Sequence, residues 1–191
     1  QQCLVRLLEN LPTQCVLCRR TTYAPTSMCM GCAEQLPVPQ NPCAGCGEEQ
    51  PHNSPALRCA SCLALPPPYS FCRAALLYQT PVNRLITGFK FSARFETGKV
   101  LSCLLAKIFV QHYSNQQAGF PAALVPVPLH SKRLQQRGFN QAREICKVIA
   151  RQSQVRLQSN WLYRCRHTQP QSNTASPGAR RKNLRGAFRV A

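Results

Sequence analysis

Residues 122–141 read Ala-Ala-Leu-Val-Pro-Val-Pro-Leu-His-Ser-Lys-Arg-Leu-Gln-Gln-Arg-Gly-Phe-Asn-Gln. The first six form a continuous apolar run, the signature of a strand covered on both faces. Pro126 and Pro128 have no N–H to donate, so the strand ends there. A basic loop with Lys132, Arg133 and Arg137 is expected next, and Gly138-Phe139-Asn140-Gln141 leads into a helix reaching about Ser153. On that helix Phe139, Ala142, Cys146 and Ile149 share one side, while Arg143, Lys147 and Arg151 form a basic stripe at a spacing of four. Strand, loop and helix in succession form a β-α unit, which predicts an α/β domain with a mainly parallel sheet. In such sheets anions bind where a strand's carboxyl end meets a helix N-terminus, the place that loop 129–140 occupies.

Upstream, Phe71 to Tyr78 alternates as a strand, and Pro81 opens a short helix to about Phe91 that carries Lys90 at its end. A longer helix is expected over 96–113, with Val100, Leu101, Leu104, Leu105, Ile108 and Phe109 as its core stripe. Downstream come a short strand near 155–163, a polar stretch from Gln169 to Gly178 and the cationic run Arg180–Arg185, expected as a mobile loop with a basic end. Pro66-Pro67-Pro68 marks a boundary between a first module, 1–66, and a second, 67–191.

The first module is defined by cysteine. Eight of the thirteen cysteines form four Cys-x-x-Cys pairs: Cys15/Cys18, Cys29/Cys32, Cys43/Cys46 and Cys59/Cys62. Two intervening residues let both thiolates face one tetrahedral ion, and the gaps between pairs suit short hairpins. Sequential pairing gives two four-cysteine zinc ribbons, 15–32 and 43–62; spacing alone also permits a cross-braced arrangement. An odd count and no signal-peptide pattern argue against a disulfide framework, and a thioredoxin-like site would use one pair rather than four. Four-cysteine zinc sites are closed to substrate, so their role is structural. Cys3, Cys72, Cys103, Cys146 and Cys165 are scattered and expected to be buried.

Composition narrows the function. The 191 residues carry 24 Lys plus Arg against 6 Glu and no Asp, a formal charge of +18. A Ser-His-Asp triad, an aspartic dyad and an Asp-based Mg²⁺ site are thereby excluded from these residues. Residues 1–70 are neutral in sum, and the whole excess lies in 71–191. That field attracts polyanions such as nucleic acid or phosphorylated metabolites. No apolar run reaches the length of a membrane span, and a cytoplasmic location is expected.

The four cysteine pairs, Phe89-Lys90-Phe91, Val125-Pro126-Val127-Pro128-Leu129, Arg133, Arg137-Gly138-Phe139-Asn140-Gln141, Arg181-Lys182-Asn183-Leu184 and Ala187-Phe188 together resemble the ComF family of ComFC- and GntX-like competence proteins. The resemblance runs from about residue 12 to the last residue. It implies a double zinc ribbon joined to a domain similar to type I phosphoribosyltransferases, and a role in DNA uptake during natural transformation. It further implies that Val127, Pro128 and Leu129 form a loop on the pyrophosphate side, with Arg133, Arg137 and Asn140 near phosphates. Arg181 and Lys182 would lie on a flexible loop that closes over the diphosphate of phosphoribosyl diphosphate (PRPP), bound with Mg²⁺, and would stabilise its departing charge. Type I enzymes also hold PRPP with paired acids and a Thr/Gly-rich phosphate loop. These residues contain no such segment, so transfer by them alone is not expected.

The leading expectation is therefore a competence-type protein that binds single-stranded DNA, PRPP or both through Lys90, Arg133, Arg137, Asn140, Arg143 and Lys147. Trp161, Tyr163 and Tyr69 could stack on bases if exposed, although such residues are more often core. Two alternatives stand beside it: a non-enzymatic nucleic-acid adaptor that retains the fold only, and a module whose ribbons dock a helicase-like competence protein.

Overall fold

The computed structural model describes residues 12–92, 94–117, 119–170 and 176–191. Cys3 and the middle of the polar stretch, residues 171–175, lie outside them. The chain divides into two compact units, 1–87 and 88–191.

The first unit contains two similar knuckle pairs. Strands β1 (Thr13–Gln14) and β2 (Thr21–Thr22) pair antiparallel around the first knuckle, and helix α1 (Met30–Glu34) starts directly after Cys29. The same plan recurs beyond it. A bridge between Pro42 and Glu49 closes the third knuckle, and helix α2 (Ala60–Ala64) starts directly after Cys59. The expected strand over Phe71–Tyr78 is not formed. Its alternation finds no neighbouring strand among the described residues; instead the Leu77 N–H donates to the Pro37 carbonyl at 2.8 Å. Helix α3 (Val82–Phe91) follows, as the Pro81 start predicts, with Val82 and Leu85 buried.

In the second unit helix α4 (Phe95–Ser114) packs against helix α6 (Gln141–Ser153). Val100, Ala106 and Ile149 are among the buried residues. Strand β3 (Ala123–Leu124) pairs in parallel with β4 (Arg156–Leu157), with Leu124 opposite Leu157. This β3-α6-β4 crossover is the predicted β-α unit, and it makes the second unit α/β. Three elements differ from expectation, the last of them a helix over 177–184. The segment read as a basic loop holds a short helix, α5 (Ser131–Arg137), capped by His130 Nδ1 and ended by Gly138 at φ 76°. Only glycine adopts that left-handed turn cheaply. The stretch expected as one strand near 155–163 bends after β4 and restarts as β5 (Leu162–Arg164). Helix α7 (Pro177–Leu184) leads on to β6 (Phe188–Val190), which pairs antiparallel with β5.

One close approach fixes the start of α4. A Cβ at Gly98 would run into the ring of Phe89, which is buried and packed 5.4 Å from the Phe139 ring. Gly→Ala in a helix ordinarily gains roughly 1 kcal/mol; here the clash reverses the sign. Gly98→Ala is expected to destabilise the second unit by about 1–3 kcal/mol, the range for overpacking. Urea unfolding followed by far-UV circular dichroism would read the shift, and an unchanged or raised midpoint would contradict this packing.

Candidate metal centres and cationic cleft

The two cysteine sets are brought together sequentially. Cys15, Cys18, Cys29 and Cys32 form one cluster, and Cys43, Cys46, Cys59 and Cys62 the other, each with its sulfurs within 4.8 Å of one another. The sulfurs of Cys18 and Cys29 lie 3.7 Å apart, as do those of Cys46 and Cys59. Four sulfurs held about 2.3 Å from a tetrahedral Zn²⁺ are roughly 3.8 Å apart, so the cages have the size of a zinc site. Both use the same device: the first N–H of the helix knuckle donates to the first cysteine, Cys29 to Cys15 Sγ at 3.5 Å and Cys59 to Cys43 Sγ at 3.2 Å. Gly45 stays small because a Cβ there would meet Cys62 Sγ at 3.1 Å.

The thiols respond to this crowding. Burial pushes Cys15 up, but N–H groups of Cys18, Cys29 and Leu17 outweigh it and bring the thiol down to about 6. Backbone donors from Cys59 and Cys46 hold Cys43 at about 6. Hydrogen bonds to the sulfurs of Cys29 and Cys18 push Cys32 up to about 12. Burial, with the sulfurs of Cys46 and Cys59, does the same to Cys62. Four thiols in one cage cannot all ionise without a cation among them, which a Zn²⁺ held by the four sulfurs would supply. Of the other cysteines, Cys72 and Cys165 are exposed rather than buried, and Cys103 and Cys146 are half-buried.

The second centre lies in the α/β unit. Lys90, Phe91, Arg133, Gln136, Arg137, Phe139, His167 and Pro170 line a cleft of about 520 Å³ with no carboxylate in its walls. Helix α5 presents Arg133 and Arg137 one turn apart. Arg137 lies over the Phe91 ring at 5.1 Å and donates to Gln141 Oε1 at 3.3 Å. Arg133 Nη2 donates to the Thr168 carbonyl at 2.8 Å, while Arg164 bonds the Thr168 hydroxyl and covers the Phe188 ring. All these partners are neutral, so among the described residues no carboxylate compensates these charges. Desolvation and then Arg137 lower Lys90; desolvation and then Arg133 lower Arg137 and Arg164. His167, whose ring meets that of His130 edge-on at 5.2 Å, is lowered by desolvation first and then by His130 and Arg133.

The other expected residues are placed differently. Asn140 caps α6, accepting from the Ala142 N–H at 3.0 Å, and donates to the Val127 carbonyl at 3.0 Å. It thus ties the end of the β3 segment, through Val127, to the helix that follows. Pro128 and Leu129 are half-buried. Arg143 bonds Ser159, and Lys147 pairs with Glu144 at 2.8 Å. Neither lines the cleft. Arg181 and Lys182 belong to helix α7 rather than a flexible loop, because Ser176 Oγ caps its first turn. They border a separate, open depression with Leu184 and Arg185. Residues the sequence reading missed are Arg164, His167 and Thr168, which carried no motif. Trp161, Tyr163 and Tyr69 are half-exposed, not core.

Comparison with known proteins follows the same lines. DNA utilization protein YhgH of Salmonella typhi is 32% identical over 140 residues, covering 73% of this chain and 61% of its own. YhgH of Escherichia coli K12 is 34% identical over 134 residues, 70% of this chain and 59% of its own. Competence protein F of Haemophilus influenzae is 31% identical over 136 residues, 71% of this chain and 59% of its own. The chain belongs to the ComF family. It spans about three fifths of the length of these curated relatives. No family model and no solved structure matches it. No helix among the described residues of this ComF-family chain is long and apolar enough to cross a membrane.

The two cages are independent ligand sets, which gives a clear expectation for metal content. The difference between native and denatured mass should count two zinc ions, and Cys43→Ser should leave one. Loss of both ions from that variant would contradict sequential pairing.

Proposed function

We propose that this chain acts in DNA utilisation by binding single-stranded DNA through its phosphates in the cleft lined by Lys90, Arg133, Arg137 and His167. The supporting observation is that these groups converge with no carboxylate to neutralise them. A phosphate backbone answers such a set, and release of its counterions adds to the affinity. The names of the relatives, a DNA utilization protein and a competence protein, agree in direction. PRPP offers similar chemistry in its diphosphate and is the second ligand the family resemblance implies. The cleft walls give Mg²⁺ no carboxylate, however, which favours a ligand held by cations alone. The zinc ribbons act structurally in this reading, and no transfer step is assigned to the chain.

Titrating the zinc-loaded chain with an oligothymidylate at increasing salt tests the proposal. Affinity should fall steeply, and Arg133→Ala or Arg137→Ala should each lower the log–log slope by about 0.7, the share of one cation on a single strand. If both substitutions leave slope and affinity intact, the cleft is not the binding site.

A further inference from the structure

We propose that strands β5 and β6 form a base-stacking platform, on which Trp161 and Tyr163 receive unpaired bases of the strand whose phosphates enter the cleft. The inference rests on the DNA-binding reading above and specifies that the ligand must offer free base faces.

Tyr163 is 50% exposed, and Trp161, one residue ahead of β5, is 48% exposed. The ladder extends to Trp161, whose carbonyl accepts from the Ala191 N–H at 2.9 Å. Side chains two residues apart on extended chain share a face, and the Trp161–Ala191 bond extends that register to Trp161, which assigns it to the face of Tyr163. Tyr163 stands directly opposite the exposed Arg189 of β6, which adds a cation to the same face. The other face is occupied: Arg164 stands opposite Phe188 and covers its ring at 5.3 Å. Aromatic surfaces of this size usually lie inside a protein. Here two of them, with a guanidinium, face solvent on a short sheet.

Charge and continuity say what covers them. Residues 155–191 contain eight Lys plus Arg and no acid, so the surroundings complement an anion. Aromatic faces interleaved with arginine in a basic field suit single-stranded nucleic acid, because every base has a π-face and every nucleotide a phosphate. The chain segment that carries the platform also runs on to the cleft. From Tyr163 the chain runs through Arg164 to His167 in the cleft wall, four residues and at most roughly 14 Å of backbone. Thr168 anchors that path, held by Arg164 at its hydroxyl and by Arg133 at its carbonyl. A DNA strand that follows this segment around the sheet edge would meet cations at the cleft and aromatic faces on β5. A duplex presents no free base faces and would lose the second contact.

Trp161 is the only tryptophan of the chain and reports on its own contact. In the zinc-loaded chain, saturating oligothymidylate should quench its emission, while an abasic oligomer of equal length and charge should leave it nearly unchanged and bind more weakly. Trp161→Ala and Tyr163→Ala should each weaken oligothymidylate binding by about 5- to 150-fold, with the salt slope retained because no phosphate contact is lost. Trp161→Phe, which keeps a stacking ring, should recover most of the affinity. Tyr163→Ala retains the Trp161 signal, so folding and binding are read together in that variant. If oligothymidylate binds with Arg133-dependent salt sensitivity while Trp161 emission stays constant and the abasic oligomer binds equally, the platform is refuted and the cleft reading survives. If oligothymidylate fails to bind even at low salt, both are refuted.

Discussion

Like charges held together without a counter-charge are the constraint that organises the second unit. Arg133, Arg137, Arg164, Lys90 and His167 converge, and the groups that fix them are a backbone carbonyl, a threonine hydroxyl, a glutamine amide and two phenylalanine rings. Neutral partners orient a guanidinium but do not cancel its field. Desolvation, and after it the neighbouring cations, disfavours the charged forms of Lys90, Arg137 and His167. A bound polyanion would reverse this, so the fold holds a preorganised demand for negative charge.

The first unit poses the opposite problem on a smaller scale. Two cages of four thiols demand a cation: backbone donors lower Cys15 and Cys43, while neighbouring sulfurs and burial raise Cys32 and Cys62. Zinc would answer that demand. Because each loaded four-thiolate site carries about −2, the front module would be acidic ahead of the strongly basic one that follows it in the chain. The cages stabilise loops and five-residue helices that have little apolar surface of their own. The cleft, by contrast, stays open to solvent and to a ligand.

Much of this was legible in the sequence because it rests on local signals. The Cys-x-x-Cys spacing predicted both cages, and the apolar run before Pro126 with the lead-in Gly138-Phe139-Asn140-Gln141 predicted β3 and α6. Helix α5 had readable signals as well: His130 as its cap and Gly138 as its left-handed stop, obscured by the charge of the segment between them. Helix α7 was hidden in the same way, since Ser176-Pro177 is a helix start within a polar run that reads as loop. The strand expected over Phe71–Tyr78 fails for another reason. Alternation states that a segment can pair, but a partner must be supplied by the rest of the fold, and Leu77 bonds Pro37 instead. The exposure of Trp161 and Tyr163, and the convergence of Arg164 and Thr168 on Arg133, are tertiary facts with no local pattern to announce them.

The field of the cleft can be read at His167, which lines it and whose titration is already depressed by desolvation, His130 and Arg133. Its imidazole pKa, followed by proton NMR and assigned with His167→Gln, should rise when saturating oligothymidylate brings phosphates beside it. An unchanged His167 titration in the bound protein would mean that the phosphates lie elsewhere, and would contradict the cleft as the place where this chain holds its ligand.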